Sequence, residues 1–303
     1  MYLISPSKKQ YKANLHCHSV LSDGKKTPEE LKAMYKDNGY SILSITDHER
    51  PCNHSDLTDD DFIMITGYEA YIRDNKECKG NPYKPEIHIN LFAENPENVS
   101  YICFNPACCK YCTEEEKEQF IKVGSQKQRE YTVEYINEFV KTALDNGYIC
   151  SHNHPYWSLE NEDMILKYEG FFSMEMCNFS SFIINGLEYN ARLYDKLILS
   201  GKKIFCHSAD DNHNGAPENS LAYDSFGAFT MIMPEKFTYD EIFKAMKKGE
   251  MYSSMGPLFK EVSMDGNKIH IETSPVQSIR VSIVDEYGNY ADTRAFLREE
   301  LEF

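Results

Sequence analysis

Apolar positions along the chain alternate between two patterns. Short apolar runs read as strands, and the stretches between them carry apolar residues at helical spacing. Residues 11–15 read as a strand entering His16-Cys17-His18. Residues 28–38 follow as a helix with Leu31, Met34 and Tyr35 on one face, stopped by Asn38-Gly39. Residues 41–46, 62–70 and 86–91 are the next strands, then 126–146 a helix with Tyr131, Tyr135, Ile136, Phe139, Val140 and Leu144 in its stripe. Strands at 148–151 and 171–178, a helix over roughly 184–200, strands at 203–207 and 228–233, and a helix at 238–248 complete the series. The pattern changes beyond Met255-Gly256-Pro257. Residues 258–289 alternate as short strands, with turn signals at Asp265-Gly266 and Tyr287-Gly288-Asn289, and the tail from Thr293 to Phe303 is left as a short helix or a frayed end.

Alternating strands and helices predict an α/β fold, either a barrel or a doubly wound sheet. The domain boundary falls near 256: residues 1–256 form the main unit and 257–303 a small β-rich appendage. Residues 93–125 interrupt the rhythm. They hold Cys103, Cys108, Cys109 and Cys112 and then the charged run Glu114–Glu118, a solvated helix start, and are expected to be an insertion or a lid.

Composition narrows the classes. The chain of 303 residues is 41% hydrophobic and 26% charged, an ordinary globular balance. No apolar run approaches the ~18 residues of a membrane span. Residues 1–10 lack the apolar core of a signal peptide, so a cytoplasmic location is expected. The formal net charge of −16 argues against a broad nucleic-acid surface, but not against a small phosphorylated substrate, because bound metals invert the local field. Of the ten cysteines, Cys17, Cys150, Cys177 and Cys206 sit in or beside apolar runs as small hydrophobes. The spacing of Cys103, Cys108, Cys109 and Cys112 fits no established metal motif, and reduced thiols are expected there rather than an extra structural metal. No oligomeric state is legible.

The candidate chemistry lies where the strands end. Strand alternation turns His16 and His18 to one face and Cys17 to the other, a pairing suited to a divalent ion. Asp23 follows on a turn. His48, Glu69, His88, His154, Asp211 and His213 then arrive one or two at a time, each at or near the C-terminal end of a strand. Ends of so many strands meet in one ring in a barrel, which favours the barrel over an open sheet. His154 is preferred to His152 because it precedes Pro155, and Asp211 to Asp210 because it shares a face with His213. Asp47 is expected to orient or neighbour His48 rather than bind metal. For Glu175 and Asn178, an approach to substrate and structural hydrogen bonding stay open. Tyr156 and Trp157 are expected to pack rather than to wall a pocket. Arg129, Arg192 and Lys202 are candidate phosphate-binding cations. His54, His207 and His270 receive no role.

The order HxH…D…DH…E…H…HP…DxH, with Leu15-His16-Cys17-His18-Ser19, Thr46-Asp47-His48, His154-Pro155 and Asp211-x-His213, resembles the polymerase-and-histidinol-phosphatase (PHP) metallohydrolases over residues 11–256. The stretch 249–257 is similar to the end of stand-alone PHP phosphoesterases. This resemblance implies a distorted (β/α)7 PHP barrel with two or three divalent ions, Zn, Mn or Fe. By analogy His16, His18, Glu69 and Asp211 would hold the first, Glu69, His88 and His154 the second, and Asp23, His48 and His213 the third. It also implies hydrolysis of a phosphate monoester or diester by a metal-bridging hydroxide, with Asp211, His213 and His48 assisting proton transfer. Two alternatives stand beside this: a hydrolase of a carbon-centred ester, amide or carbamate on the same site, and a non-catalytic metal-binding module.

Overall fold

The computed structural model describes residues 1–74, 84–266, 268–284, 290–296 and 300–302. The chain opens with β1 (Tyr2–Ile4), β2 (Tyr11–Asn14), α1 (Pro28–Asp37), β3 (Ile42–Leu43), β4 (Ile63–Met64), β5 (Gly67–Arg73) and β6 (Glu86–Ala93). The interrupting segment holds β7 (Tyr101–Ile102), α2 (Glu114–Gln119) and β8 (Lys122–Val123). Next come α3 (Val133–Asp145), β9 (Tyr148–Asn153), α4 (Glu162–Ile165), β10 (Ser173–Asn178), α5 (Phe179–Asn185), α6 (Ala191–Leu199), β11 (Phe205–Ala209), β12 (Phe229–Ile232), α7 (Tyr239–Lys248) and β13 (Met251–Ser254). The chain closes with β14 (Phe259–Asp265), β15 (Lys268–Thr273), β16 (Ile279–Val284), β17 (Tyr290–Phe296) and β18 (Glu300–Glu302).

Local chemistry explains most of these limits. Thr27 caps α1 reciprocally with Glu30, Pro28 sits in its first turn, and Leu31 and Tyr35 are buried beneath it. The expected helix 126–146 starts only after Thr132, whose hydroxyl accepts from the Tyr135 amide. Upstream, residues 126–132 are not helical, and Arg129 is paired in the interior with Glu49. The expected helix 184–200 is two helices. Gly186, at φ +69°, ends α5, and a link carrying Glu188 and Asn190 precedes α6. The expected strand 62–70 also divides. Ile63 and Met64 pair with Ile42 and Leu43, whereas Gly67–Arg73 pairs with β6 in another sheet. At this corner a Cβ on Gly67 would lie 2.7 Å from the Leu91 carbonyl oxygen, so only glycine fits.

Two five-stranded sheets result, ordered β11-β10-β9-β6-β5 and β13-β12-β2-β3-β4. Single backbone bridges link loops across their ends, Cys17 to Asn212 and His48 to Glu69. Among the described residues the sheets do not merge into one clear closed barrel. The arrangement is mixed α/β: β2-β3-β4 and β9-β10-β11 run parallel, whereas β6 is antiparallel to both β5 and β9. One apolar core lies between the first sheet and α3 and α6, with Ile89, Leu91, Phe139, Val140 and Leu193 buried in it. Another packs α7 through Ile242, Phe243 and Met246 against Leu15, Ile42 and Ile232.

Beyond β13, the hairpin β14–β15 pairs on one side with β1 and on the other with β18, so residues from both chain ends share one sheet. The tail after Thr293 is strand rather than helix or frayed end, in β17 and β18. The turn signal at Tyr287-Gly288-Asn289 lies outside the described residues.

Candidate metal centre

The ends of β2, β3, β9 and β11 face one cavity. His16 and His18 leave β2, His48 follows β3, His154 follows β9, and Asp211 and His213 follow β11. Glu69 is the third residue of β5 and stands near the start of that strand, not near the end as expected, because the run 62–70 divides at Gly67. His88 departs from the expected strand-end position: it stands near the start of β6. Because β6 runs antiparallel, His88 lies opposite Asn153 at the end of β9 and so reaches the same rim.

All nine candidate ligands meet there, with Glu69 at the centre. Its carboxylate lies 3.2 Å from His16 Nε2, 3.5 Å from His18 Nε2, 2.8 Å from His48 Nδ1, 3.0 Å from His88 Nδ1 and 3.3 Å from His154 Nε2. Asp211 Oδ1 is 2.9 Å from His18 Nε2 and 3.1 Å from His16 Nε2. Asp23 is 3.4 Å from His213 Nε2 and 3.6 Å from His48 Nε2. The donor atoms group as His18, Asp23, His48 and His213; His16, His18 and Glu69; His16, His154 and Asp211; and His48, Glu69 and His88, each set within 4.8 Å.

The donor set fits divalent ions. His18 Nδ1, His48 Nδ1, Glu69 Oε2 and Asp211 Oδ1 are buried without a hydrogen bond, although neighbours stand close. Unpaired polar atoms beside such neighbours suit the ligands of shared ions, with donor separations near the ~3.3 Å edge of a tetrahedron with metal–nitrogen distances of about 2.05 Å. The outer nitrogens are fixed from behind. Glu175 Oε1 accepts from His16 Nδ1 at 2.7 Å, Ser158 Oγ lies 3.0 Å from His154 Nδ1, and His213 Nδ1 donates to the Asp211 carbonyl at 2.9 Å. Each leaves Nε2 free to face the cluster. His154 at φ +24° and Asp211 at φ +53° hold left-handed backbone, anchored by His154 N–H to Glu175 at 2.9 Å and Asp211 N–H to the His16 carbonyl at 2.9 Å.

Charge follows the geometry of the protein without ions. Burial acts to raise the Glu69 carboxyl, but His16, His88 and His48 outweigh it and hold it well below the usual range. Burial likewise acts against charge on His88, yet Glu69 and Glu86 lift it to about 10. His213 is lifted to about 9 against burial by Asp23 and Asp211. His18 has burial and the neighbouring His213 and His48 against it and falls to about 4.

Other residues singled out in the sequence have partners of their own. Asp47 does not address the His48 ring. It accepts from Ser19 N–H at 2.8 Å and the Ser19 and Ser22 hydroxyls at 2.6 and 2.5 Å, and so clamps the turn that carries Asp23. Glu175 and Asn178 make structural hydrogen bonds, to each other at 2.9 Å and from Asn178 to Asp211 at 3.1 Å. His152 turns away to Glu160 at 2.6 Å, and Asp210 accepts three backbone N–H groups of residues 226–228. Trp157 walls the cavity instead of packing in the interior: it stands edge-on to His154 and remains 42% exposed, while Tyr156 donates to Glu162. Arg129 is committed to Glu49, and Lys202 donates to the Tyr168 carbonyl at 2.6 Å. Arg129, Arg192 and Lys202 do not line the cavity among the described residues.

Tyr111 carried no signal in the sequence. Its hydroxyl donates to Asp23 at 3.2 Å and its ring lies parallel to His48 at 6.3 Å, which brings the 93–125 segment to the edge of the site. The cavity is about 650 Å³. One wall is the histidine and carboxylate cluster; the other is Trp157, Ile183, Ile184, Ala216, Leu221 and Ala222.

Neither a protein-family model nor a curated protein sequence matches the chain. Solved structures do. A two-domain protein from Bacteroides vulgatus, containing a predicted PHP-like metal-dependent phosphoesterase, aligns over 99% of this chain and 86% of its own at 12% identity and TM-score 0.50. An amidohydrolase from Chromobacterium violaceum, with bound sulfate and no metal, aligns over 79% of this chain and 97% of its own at 14% identity and TM-score 0.47. At such identity the likeness to the first concerns the fold. The chain shares a mixed α/β architecture with a PHP-like neighbour.

Proposed function

We propose that the protein is a PHP-type, metal-dependent hydrolase of phosphate esters, acting in the cytoplasm on a small phosphorylated substrate. The observation that carries this is the convergence of five imidazoles on the buried Glu69 carboxylate, with donor atoms left unpaired beside an open cavity. The two sheets are taken as a distorted (β/α)7 barrel within residues 1–256, with 257–303 as its appendage and β1 paired to that appendage. His16, His18, Glu69 and Asp211 would hold one ion, Glu69, His88 and His154 a second, and Asp23, His48 and His213 a third. Bound divalent ions would supply Lewis acidity and an activated water at neutral pH.

The chain's own residues orient and shield. Glu175 keeps the His16 proton on Nδ1, so that Nε2 presents its lone pair. Asp47 holds the turn that delivers Asp23. His48 and His213 keep 18% and 31% of their side chains exposed, the most open imidazoles of the cluster; with Asp211 they are assigned to proton transfer and the leaving group, a role open to each only while its donor atom is not held by an ion.

The test is parallel hydrolysis of a chromogenic phosphate monoester, a phosphodiester and a carboxyl ester. Protein stripped of metal is reloaded with Mn, Zn or Fe, and bound metal is counted. Phosphate release restored by metal, at two or three ions per chain, is the expected result. The apolar second wall, together with the commitment of Arg129 to Glu49, favours one alternative, a carbon-centred ester, amide or carbamate. Carboxyl-ester turnover without phosphate release would select it.

A further inference from the structure

The cysteine cluster resolves into separate environments. Cys103 belongs to the large core beneath α3, and Cys108 is partly exposed. Cys109 and Cys112 form a C-x-x-C pair inside a small apolar cluster with Tyr101, Phe104 and Phe120. Cys109 is 1% exposed and its sulfur lies 3.0 Å from the Tyr101 hydroxyl. Cys112 is 9% exposed, and Arg50 Nη1 donates to its sulfur at 3.7 Å. The same guanidinium donates to the Tyr111 carbonyl at 3.0 Å and pairs with Glu116. The neighbouring Cys109 thiol, with Arg50, brings the Cys112 thiol down to about 7 against burial. The two residues between the cysteines are Lys110 and Tyr111, and Tyr111 is the residue that touches Asp23 and His48.

We infer that Cys109 and Cys112 are a peroxide-sensitive dithiol, and that closing their disulfide withdraws Tyr111 from the metal-ligand cluster. Cys112 is the attacking sulfur, being the more open of the two and the one beside a cation. Its thiolate attacks one oxygen of hydrogen peroxide. The O–O bond breaks, giving Cys112 sulfenic acid and hydroxide, which takes up the proton lost by the Cys112 thiol. The Cys109 sulfur then attacks the sulfenic sulfur; the S–O bond breaks, and the Cys109 proton leaves with that oxygen as water. Two thiols and one peroxide become one disulfide and two waters. The new bond of about 2.05 Å replaces a non-bonded contact and shortens the span across Lys110-Tyr111. The Tyr111 hydroxyl is held over Asp23 by that short loop and the Arg50 clamp on its carbonyl.

The experiment treats the full-length protein with hydrogen peroxide and maps its peptides without reduction. The expected product is a Cys109–Cys112 crosslink that dithiothreitol reverses. C109S should stop at the sulfenic acid and take up dimedone at Cys112, and C112S should give neither product. C108S keeps the pair and should form the crosslink as the unaltered chain does, which covers the case in which a buried serine disturbs folding. A crosslink through Cys103 or Cys108, or no dimedone label in folded C109S, overturns the pair. Amide exchange over residues 109–113 and 47–50 is followed in the same samples. A several-fold rise on oxidation is expected, and unchanged exchange in crosslinked protein overturns the link to Tyr111.

Discussion

Glu175→Gln tests whether the cluster is a metal centre and not a buried histidine–carboxylate network. Glu175 is fully buried within β10. It accepts from His16 Nδ1 at 2.7 Å, His154 N–H at 2.9 Å and Asn178 Nδ2 at 2.9 Å. The glutamine is nearly isosteric and keeps one acceptor oxygen, but it loses the charge that sharpens the bond to His16. Carboxylates that back a ligating histidine are each worth roughly 10–100-fold in metal affinity, or about 1.4–2.7 kcal/mol. We therefore expect zinc affinity, read by competition with a chromogenic chelator, to fall by roughly 10–100-fold. Glu160→Gln is the matched control. Glu160 backs His152 at 2.6 Å and accepts from Tyr168 at 3.0 Å, the same chemistry away from the cluster. It should lower stability to urea while leaving zinc affinity within about twofold, below the range expected of a backing carboxylate. Equal affinities in folded Glu175→Gln and the unaltered chain, or equal losses in both variants, would refute the reasoning.

Glu69→Ala removes the carboxylate that five imidazoles share, and metal-dependent turnover should drop by at least about 10³-fold, with fewer ions counted by elemental analysis. Arg129→Met strands the buried Glu49 carboxylate and should cost about 3–5 kcal/mol by urea denaturation, with part of it recovered on adding Glu49→Gln. The pH dependence has a definite sign. His88 is raised to about 10 in the folded, metal-free protein, so its stabilising contribution is complete below its unfolded value near 6.5 and is lost as pH rises through about 10. Thermal unfolding of stripped protein should accordingly weaken between pH 7 and 10, and zinc binding at pH 7 should release protons, measured by calorimetry in buffers of different ionisation enthalpy. Trp157→Ala opens the apolar wall beside His154 and should raise KM for an aryl ester by about 5–20-fold with a smaller change in kcat.

The sequence by itself determined the alternation of strands and helices, because most elements read in their own residues: Thr27-Pro28 starts α1, Asn38-Gly39 stops it, and apolar periods mark the buried faces. It also determined the candidate ligands, since His-x-His, His-Pro and Asp-x-His are local patterns set by which side chains share a face. Tertiary structure decided what depends on direction and partner. His88 reaches the rim from the start of its strand because β6 runs antiparallel, and no apolar pattern carries strand direction. The corner at Thr66-Gly67 divides an apparently continuous apolar run between two sheets, since apolarity reports burial and not which ladder satisfies the backbone. Glu175 and Asp47 owe their places, and Arg129 its removal from the list of phosphate binders, to partners between 28 and 159 residues away. Tyr111 was invisible for the same reason: its two contacts are with Asp23 and His48, and a tyrosine in a cysteine-rich loop gives no sign of what the folded chain brings beneath it.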